Sequence, residues 1–270
     1  MDMYFCPLYS GSSGNVLFVQ YGGTRLLIDA GKSGKCIADA LRSIGADIDT
    51  IDGVLITHEH SDHISGVGVL ARKYHLPIYA TAGTWRGMED KVGTVSPDLK
   101  REIRANEDFC LGDIGISCFS IPHDAADPVG FRLYGGKVSV ATATDLGFFP
   151  DSVFSRIAGS DLVLLESNHD PDLLRNNRHY SPPLKQRILG NRGHLSNEAC
   201  AGALLRLVEA GTRDVILGHL SGENNSPTLA RNVSFQALTR AGVDPERDVC
   251  LRVALRDQVG AIYRIHKIEA

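Results

Sequence analysis

The stretch His58-Glu59-His60-Ser61-Asp62-His63 sets three imidazoles and the carboxylate of Asp62 within six residues. It follows directly on Gly53 to Thr57, an apolar run with the pattern of a strand. Side chains carried just past a strand end can converge on one point. Two histidines at i and i+2 on extended chain point the same way, and the Asp62-His63 pair, turning into a helical pattern from Ile64 to Tyr74, reaches a second point nearby. That arrangement suits two metal ions sharing a water. A single loop histidine commonly meets solvent or caps a helix, and Asp62 also stands where an N-cap before Ile64 would stand. Four such residues at this spacing point to ligation.

Outward from the cluster, β-type runs cover Val16 to Tyr21 and Thr24 to Asp29 around a Gly22-Gly23 turn. From Ser33 the spacing becomes helical, with Ile37, Ala40, Leu41 and Ile44 on one face and Gly45 placed to end it. Pro77 to Ala80 reads as a short strand. The second half repeats the order: β-runs at Ile114 to Phe119, Val129 to Tyr134 and Val138 to Thr142, then a strand at Leu162 to Leu165, a helix from Asn197 to Ala210, a strand at Asp214 to Leu217, a helix near Leu229 to Ala241, and closing β-runs. Hairpins followed by helices in both halves predict an α+β fold, a four-layer αββα sandwich of two mixed sheets covered by helices. No Pro/Ser-rich linker or charge block divides the chain, so residues 1–270 are read as a single domain.

An apolar content of 43% is enough for a continuous core. The net charge of -4 argues against a protein that coats nucleic acid or anionic membrane with its whole surface, so an anionic substrate must be held locally. Six scattered cysteines without a C-x-x-C pair read as buried thiols of a reducing compartment. With no signal-peptide pattern and no long apolar span, the expected location is the cytoplasm, with no membrane partner.

The pattern H-x-H-x-D-H resembles the signature of the metallo-β-lactamase superfamily. The resemblance implies a metal-dependent hydrolase whose two-ion site is completed by a further histidine, a bridging aspartate and a last histidine, each at a strand end. The positions that match, in order, are His123 after Ile121-Pro122, Asp145 after Ala143-Thr144, and His219 after Leu217-Gly218. The implied ligands are therefore His58, His60, Asp62, His63, His123, Asp145 and His219, with Asp62 also orienting the attacking water. Two divalent cations are implied, zinc by the histidine-rich set, with manganese or iron compatible with its carboxylates. His75, His179 and His266 have no such context and are assigned to structure or solvent.

Two further motifs, Glu166-Ser167-Asn168-His169 and Gly193-His194-Leu195-Ser196-Asn197, resemble the nuclease branch that includes RNase Z. That likeness makes Glu166 and His194 a pair in which the carboxylate orients a general acid for the leaving group, with His169 as a phosphate contact or additional ligand. The opening Ser10-Gly11-Ser12-Ser13-Gly14-Asn15, the Asp29-Ala30-Gly31 stretch and the His123-Asp124-Ala125 site are similar to the YycJ/VicX-like subfamily, which implies a DNA-processing nuclease. From Leu173 to Asn197 there is no acidic residue, while Arg175, Arg178, Lys185, Arg187 and Arg192 lie there with Tyr180 among them. This local reversal of charge reads either as a rim that draws a polyanion toward the metals, with Arg178, Lys185 and Arg187 on phosphates and Tyr180 stacking on a base, or as a solvated basic loop. The expected function is a phosphodiesterase or exonuclease on DNA. The alternative is a small-molecule ester, thioester or lactam hydrolase of the same fold, which would not require the basic segment or the Glu166/His194 pair.

Overall fold

A computed structural model describes residues 1–267. The chain falls into two compact units: the first holds Met1–Ser120, Ala125–Ser139 and the described residues from Leu255 on, and the second holds Ile121–Asp124 and Val140–Ala254.

Fourteen strands are described: β1 (Met3–Tyr9), β2 (Val16–Tyr21), β3 (Thr24–Ile28), β4 (Gly53–Leu55), β5 (Ile78–Thr81), β6 (Lys100–Ile103), β7 (Asp108–Leu111), β8 (Ile114–Ser120), β9 (Val129–Gly135), β10 (Val138–Ala143), β11 (Leu162–Glu166), β12 (Asp214–Gly218), β13 (Cys250–Val253) and β14 (Tyr263–Ile265). They form two seven-stranded sheets, ordered β14-β1-β2-β3-β4-β5-β6 and β13-β12-β11-β10-β9-β8-β7. Each is mixed as expected. In the first, β14, β1, β2 and β3 are antiparallel and β3 through β6 parallel. In the second, β7, β8 and β9 are antiparallel and β10 through β13 parallel.

The parallel strands are the ones that carry the chemistry. Leu162, Val163, Leu164 and Leu165 of β11 are all buried, the continuous apolar run of a strand covered on both faces. Asp29, Asp145 and His219 each follow a parallel strand closely and have left-handed backbones, with φ of 61°, 59° and 55°. Asp and His both enter that conformation more often than most other non-glycine residues.

In the first unit, Leu8, Phe18, Leu27, Ile37, Leu41, Ile56 and Leu70 belong to one buried cluster. The helix Gly34–Ser43 presents Ile37, Ala40 and Leu41 to it as the spacing predicts, and Ser33 caps its start. The predicted helix from Ile64 to Tyr74 is instead two pieces, Ser61–Ile64 and Val67–Tyr74. The break falls near Gly66, whose N–H goes to the Ala30 carbonyl (2.7 Å) and whose added Cβ would lie 2.4 Å from the Lys32 carbonyl.

Several elements were not anticipated: β1, the helix Ala82–Val92, the strands β6 and β7, and the helices Asp151–Ile157, Pro171–Asn176 and Pro182–Leu189. All six cysteines are free, as expected, but only Cys6, Cys118 and Cys200 are buried; Cys36, Cys110 and Cys250 are exposed. Burial pushes the thiols of Cys6 and Cys200 up to about 12. His75 closes the helix Val67–Tyr74 in a left-handed conformation, and His266 lies just past β14. No helix among the described residues is long and apolar enough to cross a membrane.

Candidate metal centre

In the first unit, β4 ends at Leu55 and the chain runs extended into the histidine cluster. Thr57 no longer follows the ladder. Its N–H (2.8 Å) and hydroxyl (3.0 Å) both donate to Asp29 Oδ1, which explains why the strand stops two residues short of the predicted end. The other oxygen of Asp29 lies 2.8 Å from His63 Nδ1. A carboxylate at that distance puts the ring proton on Nδ1 and leaves the lone pair on Nε2. The Thr57 hydroxyl also lies 3.0 Å from His58 Nδ1, so His58 likewise turns Nε2 outward, to within 3.0 Å of His60 Nδ1.

Three loops meet beneath these rings. Asn15 N donates to the Asp62 carbonyl (2.8 Å), Gly31 N to the Asn15 carbonyl (2.9 Å), and Ala30 N to the His63 carbonyl (2.8 Å). The approach is so close that a Cβ on Gly31 would stand 1.7 Å from the Asp62 carbonyl oxygen. The Asn15 amide oxygen accepts from Gly11 N (2.9 Å), which turns its NH2 toward His63 Nε2 (3.1 Å) and Asp62 Oδ2 (3.4 Å). The Ser10 to Asn15 and Asp29 to Gly31 motifs thus act as a backbone clamp on the Asp62-His63 turn.

In the second unit, Glu166 at the end of β11 is the organising group. Its Oε1 lies 2.8 Å from His194 Nδ1 and 2.8 Å from His219 Nδ1, and its Oε2 accepts from the backbone of Leu146 (2.7 Å) and Leu195 (3.1 Å). Burial alone would raise this fully enclosed carboxyl, but the two histidines hold it well below the usual carboxylate range. Both rings therefore spend Nδ1–H on Glu166 and face outward with Nε2. His123 does the same through the Gly193 carbonyl (3.1 Å), and burial lowers its affinity for a proton. Asp145 Oδ1 sits centrally, 3.7 Å from His123 Nε2, 3.6 Å from His219 Nε2 and 3.7 Å from His194 Nδ1. Donor atoms of Asp145, Glu166, His194 and His219 all lie within 4.8 Å of one another.

The loops bearing these groups are tied by amides. Ser167 and Asn225 both donate to the Asn197 side-chain carbonyl (2.7 and 2.8 Å), and Asn168 Nδ2 donates to the His219 carbonyl (2.9 Å).

The structure thus gathers His58, His60, Asp62 and His63 in one unit, and His123, Asp145, Glu166, His194 and His219 in the other. Glu166 serves two histidines rather than the single one anticipated. Asp29, Thr57 and Asn15 carry positioning roles that the sequence reading did not assign. His169 is only 1% exposed, neither ring nitrogen has a partner among the described residues, and burial pushes it down to about 4. It is neutral at pH 7 and shows no face to the surface.

The acid-free segment is not a plain loop. It begins inside the helix Pro171–Asn176, whose first turn holds Asp172, and contains the whole of the helix Pro182–Leu189; Asp170 and Ser181 cap the two, each with proline in the first turn. Arg187 pairs with Asp124, Lys185 Nζ donates to the Arg175 carbonyl (2.7 Å), and Tyr180 is half-buried. Arg178 is exposed and, with Leu173, His179 and Glu223, lines an open cavity of about 680 Å³.

The family profile described as the beta-lactamase superfamily domain matches residues 24–220. Over 242 residues, 90% of this chain and 91% of the relative, the sequence is 40% identical to the exodeoxyribonuclease YycJ of Bacillus anthracis. It is 42% identical over 243 residues, 88% of this chain and 90% of the relative, to the exodeoxyribonuclease WalJ of Streptococcus pneumoniae. The crystal structure of the metallo-β-lactamase fold protein YhfI from Bacillus subtilis superposes with a TM-score of 0.70 at 16% identity, covering 98% of this chain and 100% of that one.

Proposed function

The chain belongs to the metallo-β-lactamase superfamily, and from that premise we propose that it is a dinuclear metal-dependent phosphodiesterase acting on DNA as an exonuclease. The DNA reading is carried by near full-length identity of 40% and 42% with two relatives named exodeoxyribonucleases. The profile match runs through residues of both units, which supports reading residues 1–270 as one domain. A cytoplasmic setting goes with this reading.

The donor set fits the ions the family implies. Two nitrogens on one tetrahedral zinc at 2.0–2.1 Å stand about 3.3 Å apart, and His58 Nε2 and His60 Nδ1 lie 3.0 Å apart. His63, His123 and His219 each have Nδ1 engaged by an acceptor that leaves Nε2 as the ligating atom. We assign His58, His60, Asp62, His63, His123, Asp145 and His219 as the ligands, with Asp145 as the shared carboxylate. Zinc is our first choice for so many imidazoles, and manganese or iron also suits the mixed set.

When bound, the cations supply Lewis-acid activation of water and of the phosphoryl oxygens. Asp62, held by Asn15, is the carboxylate placed to orient the water and take its proton. His194, fixed by Glu166 at Nδ1, presents Nε2 to the departing oxygen; as the imidazolium paired with the Glu166 carboxylate it would give up its Nε2 proton there and be left as the neutral ring. Arg178, Lys185, Arg187 and Tyr180 form the rim that holds the strand, and His169, whose buried ring nitrogens have no hydrogen-bond partner among the described residues, is kept as an additional ligand or phosphate contact.

The test is metal-reconstituted protein incubated with end-labelled single- and double-stranded DNA, RNA and bis-p-nitrophenyl phosphate. Processive loss of DNA from an end is expected. Turnover of thioesters or lactams with no phosphodiester cleaved would overturn the proposal.

A further inference from the structure

The second unit contains an exposed aromatic ring apart from the proposed ligands and the basic rim. Asp145 is followed by Leu146, buried and bonded through its N–H to Glu166, and then by Gly147, whose N–H donates to the Pro122 carbonyl (2.9 Å). At Gly147 the chain crosses directly over another loop: a Cβ there would lie 2.1 Å from the carbonyl carbon of Asn191 and 2.4 Å from the nitrogen of Arg192. Phe148 emerges from that crossing and is 45% exposed. Its neighbour Phe149 is consumed by the protein, edge-on to Phe154 and under the Arg206 guanidinium. Phe148 has no ring or cation partner among the described residues.

The loop crossed at Gly147 also bears cations aimed by the protein. Arg192 Nε donates to the His123 carbonyl (3.0 Å), and Arg187, in the helix Pro182–Leu189 that leads into this loop, pairs with Asp124. The other large apolar side chain exposed near this crossing in sequence is Leu189, at the end of the helix Pro182–Leu189. An exposed aromatic face three residues from the proposed shared carboxylate, next to a glycine packed against the backbone of the loop that bears Arg192, offers what a nucleotide requires: a surface for the base and nearby charge for its phosphates.

We propose that Phe148 is the stacking platform for the terminal nucleobase of a strand entering the site. This rests on the phosphodiesterase reading above and refines it, because it names the group that holds the terminal base through its π-face.

The experiment uses the metal-loaded full chain and labelled single strands that differ only in whether the terminal nucleotide carries a base or is abasic, tested at each end in turn. Wild type should bind one based end more tightly than its abasic counterpart by roughly 5- to 150-fold, read as Kd by anisotropy and as KM. Phe148→Ala should reduce that ratio to about one, and Phe148→Trp should retain it. A wild-type ratio near one at both ends, or an unchanged ratio in Phe148→Ala, overturns the platform. A base preference that depends on Phe148 in a protein that cleaves no phosphodiester would leave the platform standing and remove the functional reading instead.

Discussion

Glu166→Gln is the substitution that asks most of this site. The carboxylate takes four donors, two imidazole N–H groups on Oε1 and two backbone N–H groups on Oε2. A glutamine of nearly the same shape offers one acceptor oxygen and one NH2. With the NH2 facing the rings, His194 and His219 must give up their Nδ1 protons or lose their partner, and a ring protonated at Nε2 cannot present that lone pair to a metal. With the NH2 facing the other way, the buried N–H groups of Leu146 and Leu195 are left unmatched. Each orphaned buried donor costs about 1–3 kcal/mol, so two of them predict a stability loss of about 2–6 kcal/mol. The assay is urea denaturation of the chelated protein at pH 7, followed by metal titration. Apparent metal affinity should fall 10- to 100-fold, and turnover of the reloaded protein about 10²- to 10⁴-fold. A Gln variant within 1 kcal/mol of wild type that binds metal as tightly would refute the role given to the fork.

Asp29→Asn should weaken metal binding by about 10- to 100-fold while leaving the fold in place; calorimetric titration showing wild-type affinity would remove Asp29 from the support of His63. Replacing Arg178, Lys185 and Arg187 together by Ala should lower the slope of log affinity for DNA against log salt by about 1 to 3, and an unchanged slope would make the segment a solvated surface. His169, held near 4 by burial, contributes stability that is full above the unfolded histidine value of about 6.5. As the pH falls from there toward 4, the unfolded chain takes a proton the folded ring refuses, and up to about 3 kcal/mol is lost. Denaturant midpoints of chelated wild type and His169→Gln, compared at pH 7 and 5, should show the shallower decline in the variant.

What the sequence could and could not reveal follows from where each signal resides. The cluster at His58 to His63 and the strand-end positions of His123, Asp145 and His219 are local patterns, and each sits on chain that the apolar runs place correctly. The partner of His63 is Asp29, 34 residues away, and no spacing rule reports a contact of that kind. Gly53 to Thr57 was read two residues too long because Thr57 exchanges a ladder bond for one to Asp29. Strand β1 escaped notice because Pro7 breaks its pattern; the pairing with β2 shifts register between Pro7 and Tyr9. The helices Pro171–Asn176 and Pro182–Leu189 carry their marks in the caps Asp170-Pro171 and Ser181-Pro182, but lack the long apolar periodicity that announces the helix Asn197–Glu209.

Anomalous diffraction from crystals loaded with manganese or zinc tests the central claim most directly. Two peaks per chain are expected, roughly 3.5–4 Å apart, with nitrogen and oxygen atoms of His58, His60, His63, His123 and His219 and of Asp62 and Asp145 at about 2.0–2.3 Å. Peaks elsewhere, or these side chains left without density between them at saturating metal, would contradict it.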